Sequence, residues 1–285
     1  MGIALGLAAA LSWGLADYFA TLASRRAGTL RVVLGFHFLA TAGLAAAAGA
    51  TGALSDVSLG DLPPFVAIGA LGWASYLAFY RALAIGPISI VSPIVSGYAA
   101  VTLVLAVLVL GERLSGLEIA AVAVAMTGVV LASSDLRRLA SERMEALGVL
   151  LALATVVLIG AYVFGVAYYA EDFGWLAPIF LARAFATLFL AATAVAAKQW
   201  RFPERSSRLL GVIVLLALVD TGGYVFFNFG SRHAETSIVA AAASPYSVVP
   251  ILMGVFLLAE RPARVQWVGI AFVVSGLVLL ALFSG

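Results

Sequence analysis

The chain has no cysteine and few charged residues. Without cysteine among its 285 residues it can form neither a disulfide nor a thiolate metal site. Only 11% of its residues are charged, against roughly 25% in an ordinary soluble domain, and 64% are hydrophobic. This composition, with a mean hydropathy of +1.13, excludes a water-soluble fold. The net charge of +2 offers no basic groove, so no nucleic-acid partner is expected.

Long apolar segments take the place of the missing charge. A helix needs about 20 mostly apolar residues to cross a bilayer, because every backbone amide must be satisfied within the segment. Ten segments qualify, and their connections are too short for a soluble domain. The first is interrupted by Trp13 and Asp17, so we expect a spanning helix there and not a cleaved signal. The predicted spans are 2–23, 30–50, 62–84, 88–110, 115–134, 146–169, 175–197, 208–230, 237–258 and 264–283.

The sequence contains an internal repeat. Residues 76–134 align with residues 224–282 at a constant offset of 148, with sixteen identities in 59 positions. At an offset of 146, Gly14 falls on Gly160 and His37 on Arg183. The repeat therefore covers five helices, and an odd number inverts the second copy in the membrane, an arrangement that is usual in alternating-access carriers. The repeat is supported mainly by the matches of Tyr76 with Tyr224, Ser96 with Ser244, Tyr98 with Tyr246, Gly128 with Gly276, and Glu112-Arg113 with Glu260-Arg261.

The predicted fold class is thus an all-α integral membrane protein, with ten transmembrane helices in two inverted five-helix repeats around a central cavity. The first repeat is assigned to residues 1–139 and the second to residues 146–285. The linker, residues 140–145, lies at the end of a charged stretch. Lys and Arg residues gather in the loops on the side opposite the N-terminus, thirteen against two, which predicts that both termini lie outside the cytoplasm.

An ionisable side chain inside a span costs a few kcal/mol unless it faces a cavity or a partner. Five such side chains stand out: Asp17, His37, Arg81, Arg183 and Asp220. Asp17 is read either as a proton-coupling or cation-binding carboxylate, or as an ion-pair partner of Arg81 or Arg183. We assign coupling to Asp17 and Asp220. His37 and Arg183, at matched positions, either meet an anionic substrate group or extend to the membrane interface.

An aromatic and polar stripe marks the predicted cavity. Asp220, Tyr224 and Asn228 recur every four residues and so share one helix face. Tyrosines near the span ends would suit an interfacial belt instead, but Tyr76 and Tyr224 lie too far inside the spans for that. The predicted substrate-binding residues are Trp13, Asp17, Trp73, Tyr76, Tyr80, Tyr98, Tyr162, Tyr224, Asn228 and Tyr246.

The fourth and ninth spans carry prolines, which free backbone carbonyls in a helix. Gating or substrate contact is assigned there to Ser96 and Ser244, and close helix packing to the neighbouring alanines. Glu112 and Glu260 follow these spans at turns. They are read as helix caps, with a gate between the halves as the alternative.

The pattern resembles the EamA-type branch of the drug/metabolite transporter superfamily over essentially the whole chain. The likeness is carried by the repeat together with the turns at residues 111–115 (GERLS) and 259–262 (AERP), and by the opening WGLADYF at residues 13–19. The resemblance implies a multi-pass secondary carrier of small metabolites in the bacterial inner membrane, often an exporter of amino acids or drugs. Family members are generally described with both termini in the cytoplasm, opposite to the arginine count.

The aromatic density suits amino acids, aromatic or otherwise apolar, or cationic drugs. A sugar phosphate or nucleotide sugar ranks lower, because only Arg81 and Arg183 are available to bind it. The expected partners are a small-molecule substrate, protons and the lipid bilayer. No cofactor, metal or catalytic residue is expected, since there is no His-Glu-x-x-His motif and no cysteine nucleophile. A channel built from the same helices is the remaining alternative.

Overall fold

A computed structural model describes residues 1–111, 115–132, 143–200, 207–231, 239 and 242–283. Within these residues every regular element is helical. The main helices are α1 Gly2–Ala27, α2 Thr29–Thr51, α3 Leu62–Ile85, α4 Ile88–Ser96, α5 Tyr98–Leu105, α6 Gly116–Ala132, α7 Arg143–Tyr168, α8 Leu176–Ala196, α9 Ser207–Ser231, α10 Val248–Leu257 and α11 Arg264–Phe283.

The described residues contain eight helical segments that are long and apolar enough to cross a membrane. The two shorter apolar helices, α6 and α10, occupy the places of the fifth and ninth predicted spans. The fourth span differs from a single straight helix, because it is divided into α4 and α5 at Gly97 and ends in a π-helical turn, Ala106–Leu110. At the break the Gly97 N–H donates to the carbonyl of Ile94, three residues back, and the Ser96 hydroxyl donates to the carbonyl of Pro93.

The packing of the helices follows the sequence repeat. The repeat makes α1 equivalent to α7 and α3 equivalent to α9. Accordingly, α1 packs against α9, and the equivalent pair, α7 and α3, also packs together. α2 packs against its own equivalent α8, and α6 against its own equivalent α11. The hydroxyl oxygens of Thr41 and Thr187, which are equivalent positions, lie 2.9 Å apart. A pseudo-twofold axis therefore passes between these two threonines, as expected for inverted repeats.

Glycines allow the closest helix crossings, and these crossings also come in equivalent pairs. A Cβ added to Gly14 of α1 would lie 2.8 Å from the carbonyl oxygen of Tyr246. A Cβ added to Gly160 of α7 would lie 3.0 Å from the carbonyl oxygen of Tyr98. Only glycine lets a backbone approach another helix this closely in a membrane. α1 and α7 are thereby held directly against the ninth and fourth spans, respectively.

Equivalent turns share a left-handed backbone. Gly28 follows α1 with φ of 86°, and its equivalent Gly174, which follows the short helix Ala170–Phe173 after α7, has φ of 70°. Gly111 and Ala259, which precede the repeated glutamates, have φ of 70° and 55°. Glycine adopts this conformation without strain, whereas alanine does so at a cost of roughly 1 kcal/mol.

Candidate functional site between the two halves

A buried ion pair joins α8 and α9. Both terminal nitrogens of Arg183 lie 3.2 Å from the same oxygen, Oδ2 of Asp220. Nη2 of Arg183 also donates to the hydroxyl of Tyr76 at 3.2 Å. The Arg183 side chain is only 1% exposed. Arg183 therefore does not extend to the membrane interface, and Asp220 neutralises its charge inside the helix bundle.

Aromatic rings surround the same guanidinium. The Cζ atom of Arg183 lies 5.4 Å from the ring centre of Phe36, 6.0 Å from that of Tyr76 and 5.7 Å from that of Tyr224. Tyr76 and Tyr224 are equivalent positions of the repeat, so the arginine lies between two related tyrosines, one from each half. These distances suit cation–π attraction, which is stronger away from water. Arg183 was singled out as ionisable in the sequence but was not among the predicted binding residues.

Asp17 has no cationic partner among the described residues. The Ser92 hydroxyl donates to Oδ2 of Asp17 at 2.7 Å, and Asp17 is 8% exposed. In the part of the chain that the structure describes, no Lys or Arg nitrogen lies within 4.0 Å of this carboxylate. The interpretation of Asp17 as an ion-pair partner is therefore wrong for both candidates, since Arg81 is exposed and Arg183 pairs with Asp220. Ser92 was not predicted, and its only sequence signal is a hydroxyl beside an intramembrane proline.

Four rings form a partly buried group that we call the aromatic box: Trp13, Tyr224, Phe227 and Tyr246. Trp13 meets Tyr224 edge-on with ring centres 5.4 Å apart, and its centre lies 5.9 Å from that of Phe227 and 6.4 Å from that of Tyr246. Trp13 is one helical turn before Asp17 on α1, so box and carboxylate share one side of this helix. Phe227 was not predicted, although it lies three residues after Tyr224 on the same face.

His37 lies deep in a second aromatic group. Its ring centre is 4.5 Å from that of Tyr76, while Tyr80 and Tyr162 lie 6.1 Å and 6.4 Å from Tyr76. The residue is 0% exposed, and neither ring nitrogen has a hydrogen-bond partner among the described residues. A buried imidazole without a partner costs stability. His37, like Arg183, thus does not reach the interface.

Other predicted residues lie outside these groups. The indole of Trp73 donates to the Thr193 hydroxyl at 3.0 Å and packs near Phe189 on α8. The Ser96 hydroxyl donates to the carbonyl of Pro93 at 2.7 Å, within its own helix. Tyr98 is half-buried, with its carbonyl against α7. The side chains of Asn228 and Ser244, and all of Glu112, lie outside the described residues.

The charges of Asp17, Arg183 and Asp220, the described ionisable groups of this site, do not balance. Asp17 and Asp220 bring two negative charges when ionised, and Arg183 brings one positive charge, so one negative charge is left over. The described residues hold no cluster of three or more His, Asp or Glu side chains that would bind a metal ion. The arrangement can therefore accept a proton or an organic cation beside aromatic surfaces.

The comparisons with known proteins agree with this architecture. No curated protein matches the chain. Fourteen chains of solved structures match it. One is a crystal structure described only as that of a protein, with 17% identity and a TM-score of 0.65 over 98% of this chain and 95% of that chain. This likeness shows the fold alone. The EamA-like transporter family, part of the drug/metabolite transporter superfamily, matches residues 1–134 and again residues 146–282. The chain belongs to the EamA-like transporter family.

Proposed function

We propose that the protein is a secondary transporter that exports amino acids with aromatic or other apolar side chains by alternating access. The observation that carries this proposal is the pairing of the aromatic box with the Asp17 carboxylate, one turn apart on α1. The box offers flat apolar faces for a side chain. The carboxylate offers a counter-charge for an ammonium group, and Arg183 offers one for a carboxylate.

Asp17 is proposed to alternate between the substrate ammonium group and a proton. The Asp17 carboxylate is 8% exposed and pairs with no cation in the part of the chain that the structure describes. It gains from either ligand, because each removes an uncompensated charge from the membrane interior. Competition for one carboxylate would couple export of the substrate to entry of a proton.

The test is counterflow in vesicles that hold the purified protein, with phenylalanine, phenethylamine and 3-phenylpropionate as competitors. The three share one ring and differ only in the charged groups. Competition by phenylalanine alone supports an amino acid carrier. Absence of counterflow for phenylalanine, leucine and tryptophan would contradict the proposed substrate class. Counterflow also separates a carrier from a channel, since only a carrier exchanges substrates.

The second candidate is an exporter of cationic compounds with the same fold. It is favoured by the unbalanced negative charge between the halves, which an amine without a carboxylate also neutralises. Stronger competition by phenethylamine than by phenylalanine would select this function. Competition by 3-phenylpropionate alone would contradict both candidates.

A further inference from the structure

Glu260, in the turn after α10, reaches across to the first half of the chain. Its Oε1 accepts the backbone N–H of Ile88 at 3.0 Å, and its Oε2 accepts that of Ser89 at 2.9 Å. These are the first two residues of α4, whose N–H groups have no partner within the helix. A carboxylate in this position is favoured by charge-assisted hydrogen bonds and by the helix dipole. A residue of the second half thus caps a helix of the first half.

Arg25, in the last turn of α1, completes the contact. Its Nη2 lies 3.5 Å from Oε1 of Glu260. The same guanidinium donates to the carbonyls of Leu83 and Gly86, where α3 ends and the turn to α4 begins. The end of α1, the turn between α3 and α4, and the turn after α10 therefore meet at one point. The Glu260 side chain is 11% exposed, so its bonds to the N–H groups of α4 are largely shielded from water, whereas the Arg25 side chain is 34% exposed.

The backbone around Glu260 is shaped for this contact. Ala259 is left-handed with φ of 55°, a conformation disfavoured for alanine. The Glu260 N–H donates to the Gly254 carbonyl at 3.0 Å, which closes the turn. A Cβ added to Gly254 would lie 2.6 Å from Oε2 of Glu260 and 3.1 Å from the amide nitrogen of Ser89. The strain at Ala259 and the need for glycine at position 254 both indicate that the fold maintains this contact.

We propose that Glu260 and Arg25 form a latch that holds the two halves together on the membrane face where α1 ends, and that transport requires this latch to open. The halves of an inverted-repeat carrier rock against each other, so a contact across them at one face opposes opening at that face. The proposal uses the carrier architecture but no assumption about the substrate.

The sequence repeat does not reproduce the latch at the other face. At an offset of 146, the position of Arg25 is taken by Glu171, which reverses the charge. At an offset of 148, Gly254 corresponds to Ala106 and Glu260 to Glu112. The cation and the glycine are thus specific to the face where α1 ends, and we expect this face to be closed in the resting protein.

The experiment uses the absence of cysteine from the natural sequence. Ser24 lies beside Arg25, is 3% exposed, and has a hydroxyl without a partner among the described residues, so Ser24→Cys is a nearly isosteric reporter. Ser12→Cys, three turns earlier on α1, reports general loosening of the bundle. The rate of labelling by a charged maleimide is measured in nanodiscs, where both faces are accessible, with SDS-unfolded protein defining complete labelling.

Glu260→Gln is expected to raise the labelling rate of Ser24→Cys about tenfold and to leave that of Ser12→Cys unchanged. Glutamine removes the charge and presents an NH₂ group to one of the two donating amides, and a loss of one charged hydrogen bond corresponds to roughly this factor. Arg25→Gln is a second variant with the same expected direction. Glu118→Gln is the matched control, because Glu118 caps its own helix by accepting the Ser115 N–H, and the equivalent position is naturally Gln266.

Three results would overturn the latch: unchanged labelling of Ser24→Cys in both latch variants, an equal rise for Ser12→Cys, or an equal rise in Glu118→Gln. The assay contains no substrate. A failure to transport phenylalanine therefore leaves the latch standing, and a failure of the latch leaves the proposed substrates untouched.

Discussion

Arg183 places both of its terminal nitrogens 3.2 Å from a single oxygen of Asp220, inside the helix bundle and between two repeat-related tyrosines. Asp17, for which an ion pair with this arginine was one of the alternatives, instead accepts a hydrogen bond from Ser92. The two intramembrane carboxylates therefore stand in different surroundings. This difference predicts that their substitutions have different effects.

Asp220→Asn is expected to destabilise the protein strongly, because it leaves the buried Arg183 guanidinium without its counter-charge. Breaking a buried pair from one side costs about 3–5 kcal/mol. Arg183→Gln should cost less, because Asp220 is 13% exposed and closer to water. Thermal unfolding of the two single variants and the double variant in detergent gives the coupling energy. Additive losses would show that the pair contributes no interaction.

Asp17→Asn is expected to abolish accumulation driven by a pH gradient, while substrate exchange continues with a raised KM because the substrate ammonium group loses its counter-charge. Asparagine still accepts the Ser92 hydrogen bond but carries no exchangeable proton, and no cation loses its partner, so the unfolding free energy should change by less than about 1.5 kcal/mol. Uptake and counterflow are measured in the same vesicles. Ser92→Ala is the control, since it keeps the carboxylate and should keep the coupling. Undiminished uphill transport by Asp17→Asn would dismiss the proposed role.

Trp13→Leu is expected to weaken binding of an aromatic substrate about 2- to 10-fold, the range of a single aromatic contact. Trp73→Leu is the same change at a residue that bonds to Thr193 and packs near Phe189, away from the box. We expect it to lower thermal stability with little effect on KM. Counterflow at varied phenylalanine concentration compares the two variants. Equal KM changes would place Trp73 among the binding residues, as the sequence suggested.

His37→Leu is expected to keep or raise thermal stability, by up to about 1–3 kcal/mol, because it replaces a buried imidazole without a hydrogen-bond partner by an apolar side chain. Thermal unfolding in detergent is the measurement, and Tyr80→Phe in the same aromatic group is the comparison. A clear loss of stability in His37→Leu would reveal a partner for the imidazole in the resting protein.

Much of the architecture follows from the sequence for a local reason. A segment in lipid must satisfy its own backbone, so the ten apolar segments, their order and the five-helix repeat can be read before any contact is known. Helical spacing also placed Asp220 and Tyr224 on one face. The sequence predicted one fourth span over 88–110, and the break at Gly97 was not predicted, because neighbouring helices decide how backbone groups in such a span are accommodated.

The tertiary structure decided which side chains meet. Spacing within one helix defines a face but not the helix that packs against it. The sequence therefore left open a pair between Arg183 and Asp17, whereas the packing of α8 against α9 pairs Arg183 with Asp220. The same holds for Glu260, whose turn was read as a cap or a gate between the halves. Only the packing of α10 against α4 shows that Glu260 caps a helix of the opposite half. Long-range pairing depends on the arrangement of whole helices, which no single segment encodes.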